Sequence, residues 1–554
     1  MEMAQDISPL QKARSAYSPK LPGVFAAGGP THCVAGEALT PDTDLEALQA
    51  QFPHTYGLPV ITFEPGAAAT PPRPINVGVI LSGGQAPGGH NVIAGLFDGL
   101  KALHPESRLF GFLGGPDGLV ENQYREITAE FLAPYRNTGG FDIIGSGRTK
   151  LDRPEQFERG LEHCRALGIT ALVIIGGDDS NTNACVLAEY FARQKAGVNV
   201  IGCPKTIDGD LKNQYIETSF GFDTATKVYS ELVGNILRDA NSAKKYYHFI
   251  KLMGRSASHI ALECALQTHP NACLIGEEIA ARGVGLEQVV DQLAQIVVRR
   301  AAQGKNFGVF LIPEGVIEFL PDMQRLIQEL NDVLGAHQDY LKNLPSQDDR
   351  RQFIFSKLSA EAGKSLSILP RAIQLQLLLD RDSHGNVQVS RIETEKLLAD
   401  VVADRLRELK DQGRYNGKFS AQCHFFGYEG RCAAPSNFDA DYCYALGYTA
   451  AALLGADKTG YLASVRGLNR PAAEWTPGGV PITALMNLER RHGADKPVIR
   501  KALVDLDGKP FAEFVAHRDE WATEDRFLYP GPLQYFGPPE VCDPPTRTLA
   551  LERG

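Results

Sequence analysis

Two pairs of acids stand just past two apolar runs. Asp178 and Asp179 lie in IIGGDDSNTN (174–183), and Asp208 and Asp210 lie in CPKTIDGDL (203–211) together with Lys205 and Thr206. A carboxylate at a strand end suits Mg2+, an ion that takes few protein carboxylates and bridges phosphate oxygens. Asp178 can serve in that way, or it can cap a helix. In the second segment one acid can take a proton from an attacking hydroxyl while the other supports a metal or an orientation. Charges of both signs crowded at such an edge are costly for a plain loop. Asp179 raises a question of its own, because it adds negative charge where a phosphate-binding turn should want none.

Other turns offer complementary chemistry. LSGGQAPGGHN (81–91) follows an apolar run and opens a helical pattern. Its glycines let backbone approach an anion, and the helix N-terminus supplies free N–H groups. The GxxxxGK[ST] pattern occurs nowhere, so this is no Walker A loop, and by itself it also fits a plain tight turn. Arg148 in GSGRTK (145–150) and Arg255 in MGRSASH (253–259) are cations, and Arg255 suits a bidentate phosphate clamp. Glu314 in PEG (313–315) can accept from hydroxyls, and GYEGR (427–431) offers Tyr428 and Arg431. Taken singly, each also fits a surface or satisfied core group. Cys203, His259, Cys423 and His424 lie near these turns and read as structural.

The elements that must position these groups are apolar runs at 75–81, 171–177, 198–204, 247–253 and 306–315. They are near-continuous rather than alternating, as in parallel sheets covered on both faces. Helical periods fall between them, with Asp223 as the expected N-cap of the helix that begins DTATKVYS. Alternating βα units imply parallel sheets whose ligands collect at the carboxyl ends of the strands. Residues 1–72 read as an irregular extension with some helix near DTDLEALQAQF, and residues 317–420 as an amphipathic helical insertion ending before the strand-like CHFFGYEGR (423–431).

Composition narrows the partners. The net charge of −10 over 554 residues argues against nucleic acid, which needs clustered Lys and Arg. The start MEMAQDISPL lacks a signal-peptide pattern, and no run approaches the roughly 18 apolar residues of a membrane span. The 10 cysteines form no CxxC pair, which fits thiols in a reducing compartment. The expected location is the cytoplasm.

Taken together and in this order, the turns resemble those of the phosphofructokinase family, in its long pyrophosphate-dependent form. The motifs run from Gly83 to Arg431, with further similarity in CAAPSNFDADYCYALGY and SPLQKARSAYSPKLP. The resemblance implies an α/β protein with two Rossmann-like parallel-sheet domains and the active site between them. A diphosphate-binding domain would span 73–219 and about 430–554. A sugar-phosphate domain would span 220–316 and 421–429, carrying the insertion. The implied reaction is reversible Mg2+-dependent phosphoryl transfer from pyrophosphate to fructose 6-phosphate, giving fructose 1,6-bisphosphate and phosphate.

By the same resemblance, Asp208 is the general base, Asp178 holds Mg2+ and Asp210 supports the metal region. Gly84 binds the diphosphate, Arg148 approaches the transferring phosphoryl group, and Thr206 and Ile207 lie at the substrate. Met253, Gly254 and Arg255 lie at the substrate as well, Glu314, Tyr428 and Arg431 match the fructose 6-phosphate pocket, and Glu429 and Gly430 are further substrate-binding positions. Lys245 and Tyr246 would reach a neighbouring subunit's site, which implies a homodimer or higher homo-oligomer, with room for a regulatory subunit. ATP-using relatives carry glycines where this chain has Asp179 and Lys205. A carboxylate at Asp179 would repel the α-phosphate of ATP, which pyrophosphate lacks, and Lys205 would supply charge to the shorter donor. The rival readings are an ATP-dependent 6-phosphofructokinase and a non-catalytic regulatory subunit. The first conflicts with Asp179 and Lys205, and the second with the retained Asp178, Asp208 and Asp210.

Overall fold

Continuous apolar runs bury both faces of a sheet, and all five of those named above form strands. A computed structural model of the chain describes residues 7–66, 73–337, 340–341, 343–379, 392–491, 494–533 and 539–554. Parts of the expected extension (1–6, 67–72) and insertion (338–339, 342, 380–391) lie outside the described residues. In chain order the strands are β1 (Thr31–Ala38), β2 (Pro59–Pro65), β3 (Asn76–Leu81), β4 (Arg108–Phe112), β5 (Tyr124–Ile127), β6 (Ala171–Gly176), β7 (Asn199–Pro204), β8 (Tyr247–Leu252), β9 (Ala272–Cys273), β10 (Gly308–Pro313), β11 (Ala421–Phe426), β12 (Tyr461–Arg466), β13 (Thr476–Pro481), β14 (Met486–Arg491) and β15 (Ala494–Ile499).

The chain divides into two units. The first comprises Met1–Val228, Tyr428–Ala502 and Leu533–Gly554. Its nine-stranded sheet has the order β1-β2-β13-β12-β7-β6-β3-β4-β5. The stretch from β12 to β4 is parallel, and the flanking pairs are antiparallel. From β3 the chain crosses through the helix Gly89–Leu103 to β4, whereas from β6 it crosses through the helix Asp178–Arg193 to β7 on the other side. Adjacent β3 and β6 therefore form a topological switch point, where a parallel sheet opens a crevice at its carboxyl edge. LSGGQAPGGHN and GGDDS both leave the sheet there.

Two local expectations are corrected in this unit. The N-terminal region was expected to be irregular, yet it adds β1 and β2 to the sheet, and its helix forms at Leu45–Gln51. Asp223 does not cap its helix. It lies inside the helix Phe222–Ala243, fully buried, and accepts from Ser436 Oγ (2.5 Å) and Lys227 Nζ (2.8 Å). The free N–H groups of Gly221 and Thr224 donate instead to Asp439 (3.1 and 2.8 Å), so a residue remote in sequence caps this helix.

The second unit comprises Tyr229–Gly427 and Leu503–Pro532. Residues 503–532, expected with the first unit, belong here. Their helix Lys509–Thr523 is held by Asn271 Nδ2 donating to Trp521 O (2.9 Å) and by an Arg518–Glu278 ion pair (2.7 Å). The sheet of this unit, β11-β8-β10-β9, is parallel throughout. The insertion is helical, with Pro321–Ala336, Gln347–Lys357, Ala360–Ile368, Arg371–Leu379 and Thr394–Asp411. Leu326, Leu330, Leu366, Leu397 and Val402 share one continuous core with Tyr247, Phe249 and Phe310 of the sheet.

The same contact buries an ion pair. Lys251 Nζ on β8 lies 3.1 Å from Glu395 Oε2, donates to Ile392 O (3.1 Å), and sits over the Phe425 ring. Removing one partner strands a buried charge, so Glu395→Ala should destabilise this unit by roughly 3–5 kcal/mol. Denaturant unfolding of wild type and variant measures the loss. Among the described residues no helix is long and apolar enough to cross a membrane.

Candidate active site

The turns of the first unit converge because backbone hydrogen bonds extend the sheet past its strand ends. Ser82 N–H donates to Ile175 O (2.9 Å), Gly83 N–H to Gly147 O (2.8 Å), and Lys205 N–H to Gly176 O (2.9 Å). Ser180 Oγ donates to Ser82 Oγ (2.8 Å), joining the turn after β3 to the helix after β6. Gly83 has φ +86°, a conformation that favours glycine. A Cβ added there would lie 3.3 Å from Lys205 Nζ, and one added at Gly84 would lie 3.5 Å from Arg148 Nη2. Gly84, Arg148 and Lys205 thus share one small region.

The segment after β7 is shaped from within. Asp208 N–H donates to Thr206 Oγ1 (3.0 Å), and Ser219 Oγ donates to Thr206 O (2.9 Å). Ile207 and Asp210 are buried, Thr206 and Asp208 are half-buried, and Asp179 and Arg148 are exposed. Lys205 is only 6% exposed. Burial pushes its amine down to about 8, against the opposing pull of Asp208, Asp178 and Asp210, while Arg148 reinforces the lowering. Four of the expected site residues therefore act electrostatically on the fifth.

A lysine whose folded pKa lies below its unfolded value carries a penalty for charge burial below about pH 8. That penalty is relieved as pH rises from about 8 toward the ordinary lysine value. If Lys205 binds a phosphate donor, that binding has the opposite dependence, because only the ammonium attracts phosphate. We expect kcat/KM for a diphosphate donor to fall as pH rises through about 8. Lys205→Arg should move that limb upward by more than one pH unit, since a guanidinium stays charged. Steady-state pH profiles of both proteins test this, and superimposable limbs would remove Lys205 from donor binding.

One cation at this site has no motif around it. Lys501 Nζ, just past β15, lies 3.7 Å from Asp178 Oδ2 and 4.0 Å from Asp210 Oδ2. Its neighbourhood, KPVIRKALV, contains no glycine turn, so sequence gave no signal for it. Among the described residues no group of three or more His, Cys, Asp and Glu side chains could hold a metal. Mg2+ does not require one, since it keeps several waters and takes one or two carboxylates plus substrate phosphates. Two carboxylates that already face one ammonium fit that demand.

In the same unit, GYEGR ends as the one-turn helix Tyr428–Arg431 rather than continuing β11. Tyr428 is 62% exposed, with the Arg431 guanidinium 4.5 Å from its ring centroid. Glu429 is exposed and Gly430 is buried. Arg431 Nε is buried and has no hydrogen-bond partner among the described residues. Cys432 Sγ donates to Gln85 Oε1 (2.8 Å), which sets this helix beside the turn after β3.

The second unit gathers its own polar cluster at the carboxyl ends of β8 and β10. Gly254 N–H donates to Glu314 Oε2 (3.1 Å), Glu314 N–H to Leu252 O (2.9 Å), and Gly315 N–H to Gly254 O (3.3 Å). Met253 N–H donates to Phe426 O (3.0 Å), and Arg255 is exposed beside them. Burial pushes the Glu314 carboxyl up, opposed by the Gly254 N–H and the charges of Arg255 and Lys251. Lys245 and Tyr246 do not join this cluster. They precede β8, so a six-residue strand, roughly 20 Å long, separates them from Met253. Of the four residues read as structural, Cys203 is buried with its thiol pushed up to about 12, and His424 stacks on His248 (Nδ1···Nε2 2.9 Å). Cys423 lies packed against the core of the insertion, and His259 begins the helix His259–Thr268.

This combination of turns has close counterparts. The family model described as Phosphofructokinase matches residues 76–454. The chain belongs to the phosphofructokinase family. A relative from Porphyromonas gingivalis, named pyrophosphate–fructose 6-phosphate 1-phosphotransferase, is 61% identical over 546 residues, covering 99% of each chain. The beta subunit of the enzyme so named from Solanum tuberosum is 51% identical over 549 residues, covering 99% of this chain and 94% of that one. A solved structure from Marinobacter aquaeolei, titled a pyrophosphate-dependent phosphofructokinase, superposes with a TM-score of 0.53 at 16% identity. It covers 82% of this chain and 93% of that chain, and supports the α/β fold alone. Membership in the phosphofructokinase family accounts for the two parallel-containing sheets and their Gly-rich strand-end turns.

Proposed function

We propose that this protein transfers a phosphoryl group reversibly between pyrophosphate and the 1-hydroxyl of fructose 6-phosphate, with Mg2+. One observation carries the reading. Buried Lys205 lies among Asp178, Asp208 and Asp210 at a topological switch point, in a chain 61% identical over nearly its whole length to a protein named for this reaction.

Asp208 takes the proton of the attacking hydroxyl, its backbone held by Thr206 Oγ1. Lys205 and Arg148 neutralise charge on the donor, and the backbone at Gly84 lies open to its oxygens. Ile207 seals the base of this segment against the core. Asp178, supported by Asp210, would hold Mg2+, which would supply positive charge against the phosphate groups. In the second unit Arg255 is assigned to the phosphate of the sugar and Glu314 to its hydroxyls, beside Met253 and Gly254; in the first unit Arg431 is assigned to a phosphate, beside Tyr428, Glu429 and Gly430. Catalysis rests on positioning and charge neutralisation around a loose, in-line transition state.

Lys245 and Tyr246, remote from the Met253 cluster, serve a neighbouring subunit of a homo-oligomer, and a monomeric mass in solution contradicts that part. The reaction itself is tested with the purified chain alone, given fructose 6-phosphate, pyrophosphate and Mg2+. Equal amounts of fructose 1,6-bisphosphate and phosphate are expected, and their absence from a folded protein overturns the proposal.

A further inference from the structure

Lys501 is held with unusual care for a lysine outside any motif. On one side, Ile499 N–H donates to Thr182 Oγ1 (3.1 Å), in the helix that opens with Asp178. On the other, Ala502 N–H donates to the backbone carbonyl of Asp210 (2.7 Å). Arg500 N–H donates to Leu485 O (2.9 Å) between them. The backbone at Lys501 is thus tied to both segments whose carboxylates its ammonium meets. Its side chain is 37% exposed, against 22% for Asp178 and 8% for Asp210, so the stem has room to swing away while the carboxylates stay enclosed.

The ammonium and a divalent cation want the same oxygens. Mg2+ contacts carboxylate oxygen at about 2.0–2.1 Å. With Nζ at 3.7 and 4.0 Å from Asp178 and Asp210, a divalent ion on those oxygens would lie within roughly 6 Å of a like charge. The two compete for the same carboxylates and repel each other. The geometry points to an exchange. Lys501 is a built-in counter-ion that holds Asp178 and Asp210 in the ligand-free protein, leaves when a divalent cation arrives, and moves to the diphosphate delivered with it. The protein then binds the cation weakly alone and tightly with the diphosphate, and linkage requires each to strengthen the other equally. The first half of this inference stands on the ion-pair geometry. Only the second half, the destination of the ammonium, rests on the proposed donor.

The test titrates Mn2+ into the full chain without substrate, reading free Mn2+ by electron paramagnetic resonance. Lys501→Met should bind Mn2+ roughly tenfold more tightly than wild type, the scale of one removed charge contact. Lys501→Arg, which keeps the cation, should match wild type, and Asp178→Asn should lose the site. Lys501→Gln provides a second neutral variant if the methionine variant does not fold. Repeating the titration with pyrophosphate should tighten Mn2+ binding in wild type roughly tenfold or more, and far less in Lys501→Met. Equal Mn2+ affinity in wild type and both neutral variants, or no Mn2+ site in any of them, overturns the exchange. A protein that shows the Mn2+ effect without using pyrophosphate keeps the exchange and loses the proposed donor.

Discussion

Asp208→Asn should lower kcat by roughly 10²–10⁴ and leave KM for both substrates within a few-fold of wild type. The substitution preserves the shape of the side chain and the hydrogen bond from its backbone N–H to Thr206 Oγ1, so the segment after β7 stays in place. What it removes is a proton acceptor. In the proposed assignment, pyrophosphate and fructose 6-phosphate are bound through Lys205, Arg148 and Arg255, which the change leaves intact, so the loss should fall on kcat. A fall in kcat/KM carried entirely by KM would assign Asp208 to binding. A kcat near the wild-type value would remove it from the base role altogether.

The second large effect concerns the donor. Asp179 lies in the first turn of the helix Asp178–Arg193, next to the proposed Mg2+ ligand Asp178. Its side chain is exposed, so solvent screens its charge until a donor displaces the water. The expected gain on removing it is therefore moderate. Asp179→Gly should raise kcat/KM for ATP on the order of tenfold from a negligible start. Lys205→Gly should act on the other side of the ratio. It deletes the buried cation among Asp178, Asp208 and Asp210, and kcat/KM for pyrophosphate should drop by roughly 10²-fold or more. The double variant should shift the donor ratio furthest, though its absolute rates stay low because nothing has been built to hold adenine. Measuring kcat/KM for both donors across the four proteins decides the matter. An unchanged ratio in Asp179→Gly means that the second aspartate of GGDDS does not exclude ATP.

The parts of this architecture that could be read from sequence are those whose physics is local. β3, β6, β7, β8 and β10 are buried on both faces, so their apolar runs are unbroken, and the acids past β6 and β7 stand out against them. β13 is as buried as these, yet its sequence is TPGGVP, which reads as a turn and becomes a strand only between β12 and β2. β1 is half-exposed at the sheet edge and carries too few apolar residues to announce itself. Asp223 looked like a cap because caps are usually local, whereas the fold supplies Asp439 from 218 residues beyond Gly221. Lys501 was invisible for the same reason. A lysine gains meaning at Asp178 and Asp210 only once the hairpin of β14 and β15 has been folded against the helix that carries Asp178.

The claim that joins these residues is that a short, densely charged donor is the one this site accepts. The most direct measurement offers the purified wild-type chain fructose 6-phosphate and Mg2+ with either pyrophosphate or ATP, and compares the two kcat/KM values. The expected result is ready turnover with pyrophosphate and an ATP value lower by roughly three orders of magnitude or more. Comparable use of ATP, or turnover with ATP alone, would contradict the account at its centre.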